Sequence, residues 1–207
     1  MPEIAVIDYG LGNLGSLVNM LKRLGADVAT TTQAAVITKA KKLILPGVGA
    51  FDTGVKNLQE SGLISLLTAK VLEEGTPILG ICLGMQLLSR RSEEGNLPGL
   101  GWLYAETVRF KFDGLNAGLK IPHMGWNQLR VRKCHPVMAG LESDSRFYFV
   151  HSYHVICANE SNVLAQTTYG FDFVSAVVKD NVLGVQFHPE KSHRYGMRLL
   201  RNFLENV

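Results

Sequence analysis

The sharpest chemical signal in these 207 residues is Gly80-Ile81-Cys82-Leu83-Gly84, with an apolar run before it and a helical pattern after it. This is the spacing of a nucleophile elbow, with cysteine where many hydrolases carry serine. A Cys at such a turn starts a helix, where backbone N–H groups favour the thiolate, and the Leu83 N–H is left to face an oxyanion. Glycines two residues to either side remove side chains that would meet neighbouring backbone. The competing reading of Cys82 is a small core residue at a strand end. Cys134 and Cys157 have no comparable setting and read as ordinary.

A thiol nucleophile needs a base. His188-Pro189-Glu190 follows the run Val182 to Phe187, which sets it at a strand terminus, where open parallel sheets gather their active sites. In extended backbone, residues two apart point the same way. His188 is therefore expected to face Cys82 while Glu190 fixes its other ring nitrogen, the arrangement of nucleophile, base and orienter. Pro46-Gly47-Val48-Gly49 also ends a strand. Its glycines allow a sharp turn and a second N–H that would complete an oxyanion hole with Leu83. A purely structural turn is the alternative.

Two further stretches have the outward form of more familiar chemistry. His151-Ser152-Tyr153-His154 contains His-x-x-His but lacks the helical His-Glu-x-x-His pattern, so it reads as substrate contact at a strand end and not as a metal site. Gly10-Leu11-Gly12-Asn13-Leu14-Gly15 has the form of a dinucleotide fingerprint. The acidic residue that would confirm it is missing: the second strand ends in Thr30-Thr31-Thr32, and Asp27 lies at its start. A tight turn at the functional edge of the sheet is the better reading, and neither cofactor nor metal is expected.

The elements that must hold these residues alternate in the first half. Strands are expected at Ile4 to Ile7, Ala26 to Thr32, Lys42 to Leu45 and Pro77 to Ile81. Helices are expected through Leu14 to Leu24, Leu63 to Leu72 and Leu83 to Arg91. Strand and helix in turn, with nearly all-apolar strands, predict an α/β fold: a flavodoxin-like, open, mostly parallel sheet covered by helices. From Gly101 to Phe187 strand signals dominate, predicting an additional antiparallel strand region, and helical periodicity returns at Tyr195 to Val207.

Composition narrows the class. With 46% hydrophobic and 19% charged residues the chain is globular, and its length fits one domain. The net charge of +3 has no basic tract behind it, since Arg130-Val131-Arg132-Lys133 reads as one face of a strand; nucleic acid is not expected as a partner. Three widely spaced cysteines fit a reducing compartment. No run approaches a membrane span and no basic region precedes Ile4, so a cytoplasmic location is expected.

The elbow, the distant His-Pro-Glu and the glycine loop together resemble the triad-type (class I) glutamine amidotransferases over the whole chain, 1–207, as a single domain. The Pro46-Gly47-Val48-Gly49 and His123-Met124-Gly125-Trp126-Asn127 stretches are similar to those of the glutaminase subunits that serve imidazole glycerol phosphate synthase. The resemblance implies a triad of Cys82, His188 and Glu190, an oxyanion hole at Gly49 and Leu83, and glutamine held by Gln86, His151, Ser152 and Tyr153. It places Asn13, Trp126 and Lys191 near a subunit interface. The chain starts at its first core strand and ends one helix after the triad, so the implied partner is a separate (β/α)8 barrel cyclase, forming a heterodimer. Three alternatives stay open on the residues alone. These are a glutaminase serving another synthase, a Cys-dependent peptidase or deglycase, and a non-catalytic subunit.

Overall fold

A computed structural model describes residues 2–141 and 144–207. Four apolar runs become the strands β1 (Ile4–Ile7), β2 (Val28–Thr31), β3 (Lys42–Gly47) and β4 (Ile78–Cys82). With the later β13 (Val182–Val185) they form a parallel sheet in the order β2-β1-β3-β4-β13. Successive side chains of a strand face opposite sides. Thus Ile4 and Val6 enter one core, while Ala5 and Ile7 enter the other. Burial on both faces is why these strands are apolar throughout and do not alternate.

Helices α1 (Leu14–Arg23) and α6 (His193–Asn206) cover the first face through Leu17, Leu21, Leu199, Leu200 and Phe203. The opposite face is covered by α2 (Ala34–Lys39), α3 (Phe51–Glu60), α4 (Ile64–Thr68) and α5 (Leu83–Leu87). Beyond β13 the sheet continues antiparallel through β12 (Phe171–Lys179), β10 (Tyr153–Cys157) and β6 (Ala105–Arg109), and β5 (Arg91–Ser92) closes it. β11 (Val163–Tyr169) lies beside β12 and carries β8 (Arg130–Val131). A separate two-stranded sheet pairs β7 (His123–Gln128) with β9 (Arg146–His151). The mostly parallel sheet with an antiparallel region is the architecture expected from the sequence.

Some elements differ from expectation. The helix after the elbow ends at Leu87 instead of Arg91, because Ser89 bonds back to the Gln86 carbonyl and across to Thr107 and Arg91 joins the sheet edge. The helix expected to reach Leu72 keeps α-geometry only to Thr68 and continues as a wider π-type turn over Ala69–Glu73. Helices α2 and α3 and strands β7 and β11 were not expected. The Phe51, Val55, Leu58 spacing of α3 is helical, but Gly54 interrupts it: Leu87 packs so close that a Cβ there would stand 3.1 Å from its methyl.

Candidate active site

Cys82 is the last residue of β4, the strand between β3 and β13. Its backbone is forced to φ +54°, a region an L-residue enters only under strain of roughly 1–3 kcal/mol. The elbow can turn there because Gly84 has no side chain: a Cβ would come within 1.7 Å of the Leu45 carbonyl oxygen. The turn places Cys82, 7% exposed, at the C-terminal edge of the sheet. α5 has only five residues, so its dipole contributes less than the sequence reading supposed.

The two neighbouring strands deliver the other groups. β3 pairs Gly47 with Cys82, so the loop Val48-Gly49-Ala50 leaves the sheet directly beside the thiol. Gly49 takes φ +120° and stays exposed. On the other flank β13 pairs Val185 with Ile81. The chain then leaves the main sheet, and the His188 N–H bonds to the Tyr148 carbonyl of β9. His188 and Glu190 are not two alternate residues of one extended strand, as the sequence reading supposed; Pro189–Lys191 is a 3-10 turn. The turn still brings the His188 Nδ1 to 2.8 Å from Glu190 Oε1, with both side chains buried.

His188 Nε2 has no conventional hydrogen-bond partner among the described residues, and the Cys82 sulfur is the group whose charge acts on it. Burial alone would push the imidazole pKa down. The Cys82 thiolate and the Glu190 carboxylate outweigh it and push the value up to about 10. An opposite charge on each side of a ring in a poorly hydrated site has that effect. The protonated imidazole is therefore the favoured state of His188.

A cavity of ≈ 300 Å³ opens over Cys82, lined by Gly49, Leu83, Gln86, Glu94, His151, Ser152 and Tyr153 among others. That is the small end of ligand-sized sites. Hollows of ≈ 500 Å³ elsewhere contain neither Cys82 nor His188. Glu94 was not foreseen. Its Oε2 accepts the Phe51 N–H at 2.8 Å while Asp52 accepts from the Asn96 and Leu97 N–H groups. This double clasp holds the 94–97 segment against the start of α3, beside the Gly49 loop.

The remaining wall is fixed by amides and histidines. Gln86 Nε2 donates to the Tyr153 carbonyl (3.2 Å) and to Gln186 Oε1 (3.1 Å), leaving its own Oε1 for the cavity. Gln186, fully buried and absent from the sequence reading, sets its Nε2 3.7 Å from Cys82 Sγ. His151 Nδ1 faces the Tyr153 carbonyl at 2.7 Å, so it must donate. Its Nε2 then accepts from His123 Nδ1 (3.0 Å), and His123 Nε2 accepts from the Asn127 amide (3.2 Å). Both ring nitrogens of His151 are thus spent inside the wall. Its imidazole shapes the cavity; it is not a free hydrogen-bonding arm.

Burial pushes His123 and His154 down to about 4 and His151 to about 3. These three fold as neutral rings, whereas an unfolded chain protonates them below about pH 6.5. Their contribution is fully present above that pH and is lost as pH falls toward 4, at up to about 1.4 kcal/mol per histidine per pH unit. Urea unfolding at several pH values should show stability already declining between about pH 6.5 and 5, above the carboxylate range. His154→Phe, which places an apolar ring beside Phe110 and Phe171, should make that decline shallower. A curve flat down to pH 5 would contradict the neutral-ring assignment.

The residues expected at an interface lie around the His188–Glu190 turn. Trp126 is 46% exposed and so is not a core residue. Its ring stacks on His193 at 5.4 Å and meets Tyr148 edge-on, and the Lys191 ammonium lies over the same Tyr148. Asn13 is exposed at the start of α1, whose flank shares a hollow with Glu190 and Lys191. Cys134 and Cys157 are free and far from this arrangement in the chain; no helix among the described residues is long and apolar enough to cross a membrane.

Comparison with known proteins agrees with this geometry. The family model for class-I glutamine amidotransferases matches residues 5–207. The chain is 55% identical over 204 residues to the imidazole glycerol phosphate synthase subunit HisH 2 of Methanococcus maripaludis, covering 99% of this chain and 100% of the relative. It is 50% identical to the HisH 2 subunit of Pseudomonas aeruginosa over the same shares. A crystal structure of a glutamine amidotransferase superposes with a TM-score of 0.74 at 28% identity, covering 98% of this chain and 97% of that one. A family match spanning nearly the whole chain and identities of 50% and 55% over 204 residues settle its kinship: the chain belongs to the class I glutamine amidotransferases, among the HisH subunits of imidazole glycerol phosphate synthase.

Proposed function

We propose that this single-domain chain hydrolyses L-glutamine to glutamate and ammonia at Cys82, and that the ammonia passes to a cyclase subunit. There it serves to make imidazole glycerol phosphate and AICAR in histidine biosynthesis. The observation that carries the reading is Cys82, strained at the end of β4, with the buried His188–Glu190 pair on one side and the Gly49 loop on the other.

The steps follow from the groups present. The Cys82 thiolate attacks the side-chain amide carbon of glutamine, and the oxyanion is met by the backbone N–H groups of Leu83 and Gly49. Imidazolium at His188 gives its proton to the leaving nitrogen, so ammonia departs and a glutamyl thioester is left. Neutral His188 then takes a proton from water, whose oxygen attacks the thioester carbon. Glutamate is released and Cys82 regenerated. Splitting amide hydrolysis in two lowers each barrier. Gln86 Oε1 and the Glu94 carboxylate, both acceptors on the cavity wall, suit the α-ammonium of an amino acid, while Ser152 and Tyr153 frame its other side.

The partner is a (β/α)8 barrel forming a heterodimer in the cytoplasm, seated on Asn13, Trp126 and Lys191. Released ammonia then enters the barrel without meeting bulk water. The lone subunit is expected to be nearly silent, because a peptide beside a glycine at φ +120° in an exposed loop can turn its N–H toward or away from the oxyanion. A missing oxyanion donor lowers the rate by ~10²–10³. Partner and ligand would restore it by favouring one peptide orientation. Glutamate release should be measured for the chain alone, with cyclase, and with cyclase plus its nucleotide ligand. Stimulation of about 10²-fold or more supports the reading. Full activity alone would sink the gating, and stimulation only by another synthase would sink the assignment to histidine biosynthesis.

A further inference from the structure

We propose that Gln186 is a positioning residue of the reaction, tying the group that recognises glutamine and the group that attacks it into one hydrogen-bonded unit. The proposal rests on the glutaminase reading of Cys82 above. Gln186 interrupts the otherwise apolar Val182–Phe187 run and has no exposure at all. An amide is kept in such a place only where its atoms are paired. Its orientation is determined by its neighbours. Gln86 Nε2 faces the Tyr153 carbonyl, which can only accept, so the Gln86 amide is turned with its NH2 inward. The same NH2 reaches Gln186 Oε1, which leaves Gln186 Nε2 as the end directed at Cys82 Sγ, 3.7 Å away.

Two consequences follow, one for each end. At the sulfur, an N–H donor gains strength as the thiol ionises, because hydrogen bonds to charged acceptors are roughly twice as strong as neutral ones. Gln186 thereby favours the thiolate and fixes its direction from the side opposite the solvent. At the other end, the bond to Gln86 keeps the acceptor Oε1 of Gln86 presented to the cavity. Were that amide free to flip, an NH2 would face the substrate ammonium. Gln186 also lies two residues before His188, so a single segment sets both the base and this clamp.

The two ends can be separated by substitution. Gln186→Glu keeps an acceptor for Gln86 but puts a carboxylate against the sulfur. Gln186→Met removes both bonds at similar volume. Cys82 ionisation is read as the pH midpoint of alkylation by iodoacetamide, followed on the Cys82 peptide by mass spectrometry so that exposed Cys134 and half-buried Cys157 do not contribute. KM and kcat for glutamine are measured with the cyclase present. The midpoint should rise by about one to two pH units in Gln186→Met and further in Gln186→Glu. KM should rise about tenfold or more in Gln186→Met, and clearly less in Gln186→Glu, whose loss falls on kcat. A residue that merely filled space would move neither the midpoint nor the split.

A second measurement needs no variant of Gln186 itself. The side-chain amide resonances of Gln186 in a ¹⁵N spectrum should titrate with the Cys82 midpoint and stop doing so in Cys82→Ala. Midpoints that match wild type in both variants, or Gln186 resonances indifferent to Cys82, would overturn the proposal. Failure of wild-type Cys82 to form a glutamyl thioester would instead overturn the glutaminase reading on which it rests.

Discussion

Cys82→Ala should abolish glutamine hydrolysis, a loss on the scale of the ~10⁶-fold that removing the nucleophile of a triad hydrolase produces, while cyclase binding and overall fold persist. Cys134→Ser and Cys157→Ser should retain most of the activity, since neither thiol lines the cavity. The elbow geometry adds a second, less obvious expectation. Cys82 sits at φ +54°, where any residue with a Cβ is strained and glycine is not. Cys82→Gly should therefore be inactive yet more stable than Cys82→Ala by about 1 kcal/mol after allowing for the lost methyl, a rise in Tm of about 2–4 °C at this chain length. Thermal unfolding of the two variants side by side checks it. An essential Cys134 with a dispensable Cys82 would refute the assignment. Equal or lower stability of the glycine variant would show that the surrounding backbone does not hold strain at this turn.

What was legible in the residues divides along a physical line. The elbow and the His-Pro-Glu segment could be read because each is short and carries its own turn chemistry, and the parallel sheet could be read because doubly buried strands are apolar throughout. Glu190 met His188 by another route than expected. The 3-10 turn at Pro189–Lys191, not strand alternation, sets the 2.8 Å contact. Gln186 and His123 were invisible for a different reason. Their partners lie 100 and 28 residues away, and only the pairing of β13 with β4 and of β7 with β9 brings them together. In one dimension each is a lone polar residue in a strand. Helix α3 was lost because Gly54, needed for contact with Leu87, breaks the apolar stripe that would have announced it.

The same pairing explains why one sheet edge can host attack, proton transfer and substrate recognition together. β4 ends in the proposed nucleophile, β3 on one flank leads into the proposed oxyanion loop, and β13 on the other leads through Gln186 to His188. Three adjacent parallel strands end at the same level, so groups far apart in sequence need only short turns to converge. The antiparallel extension supplies the wall. Tyr153 at the start of β10 accepts from both Gln86 and His151, joining the wall to the nucleophile's own helix.

His188→Ala should be nearly as damaging as loss of the thiol, because in the proposed reaction one ring performs two tasks. As the proton donor to ammonia and acceptor from water it accounts for a factor typical of general acid–base catalysis, ~10²–10⁴. As the cation beside Cys82 it also holds the thiolate, so the combined loss should exceed that range. Glu190→Gln should be milder, since a glutamine carbonyl can still accept from Nδ1–H, but it removes the buried negative charge that raises the imidazole pKa. The sign of the effect is fixed. In the native enzyme the imidazolium at His188 is lost as pH rises through the elevated value near 10. Without the carboxylate that value falls. The alkaline limb of kcat/KM should therefore move to lower pH in Glu190→Gln, with activity at neutral pH reduced less than in His188→Ala. A pH–rate profile of the three proteins with cyclase present tests this. An alkaline limb unmoved by Glu190→Gln, or a Glu190→Gln loss greater than that of His188→Ala, would mean that the carboxylate acts on the substrate and not through the histidine.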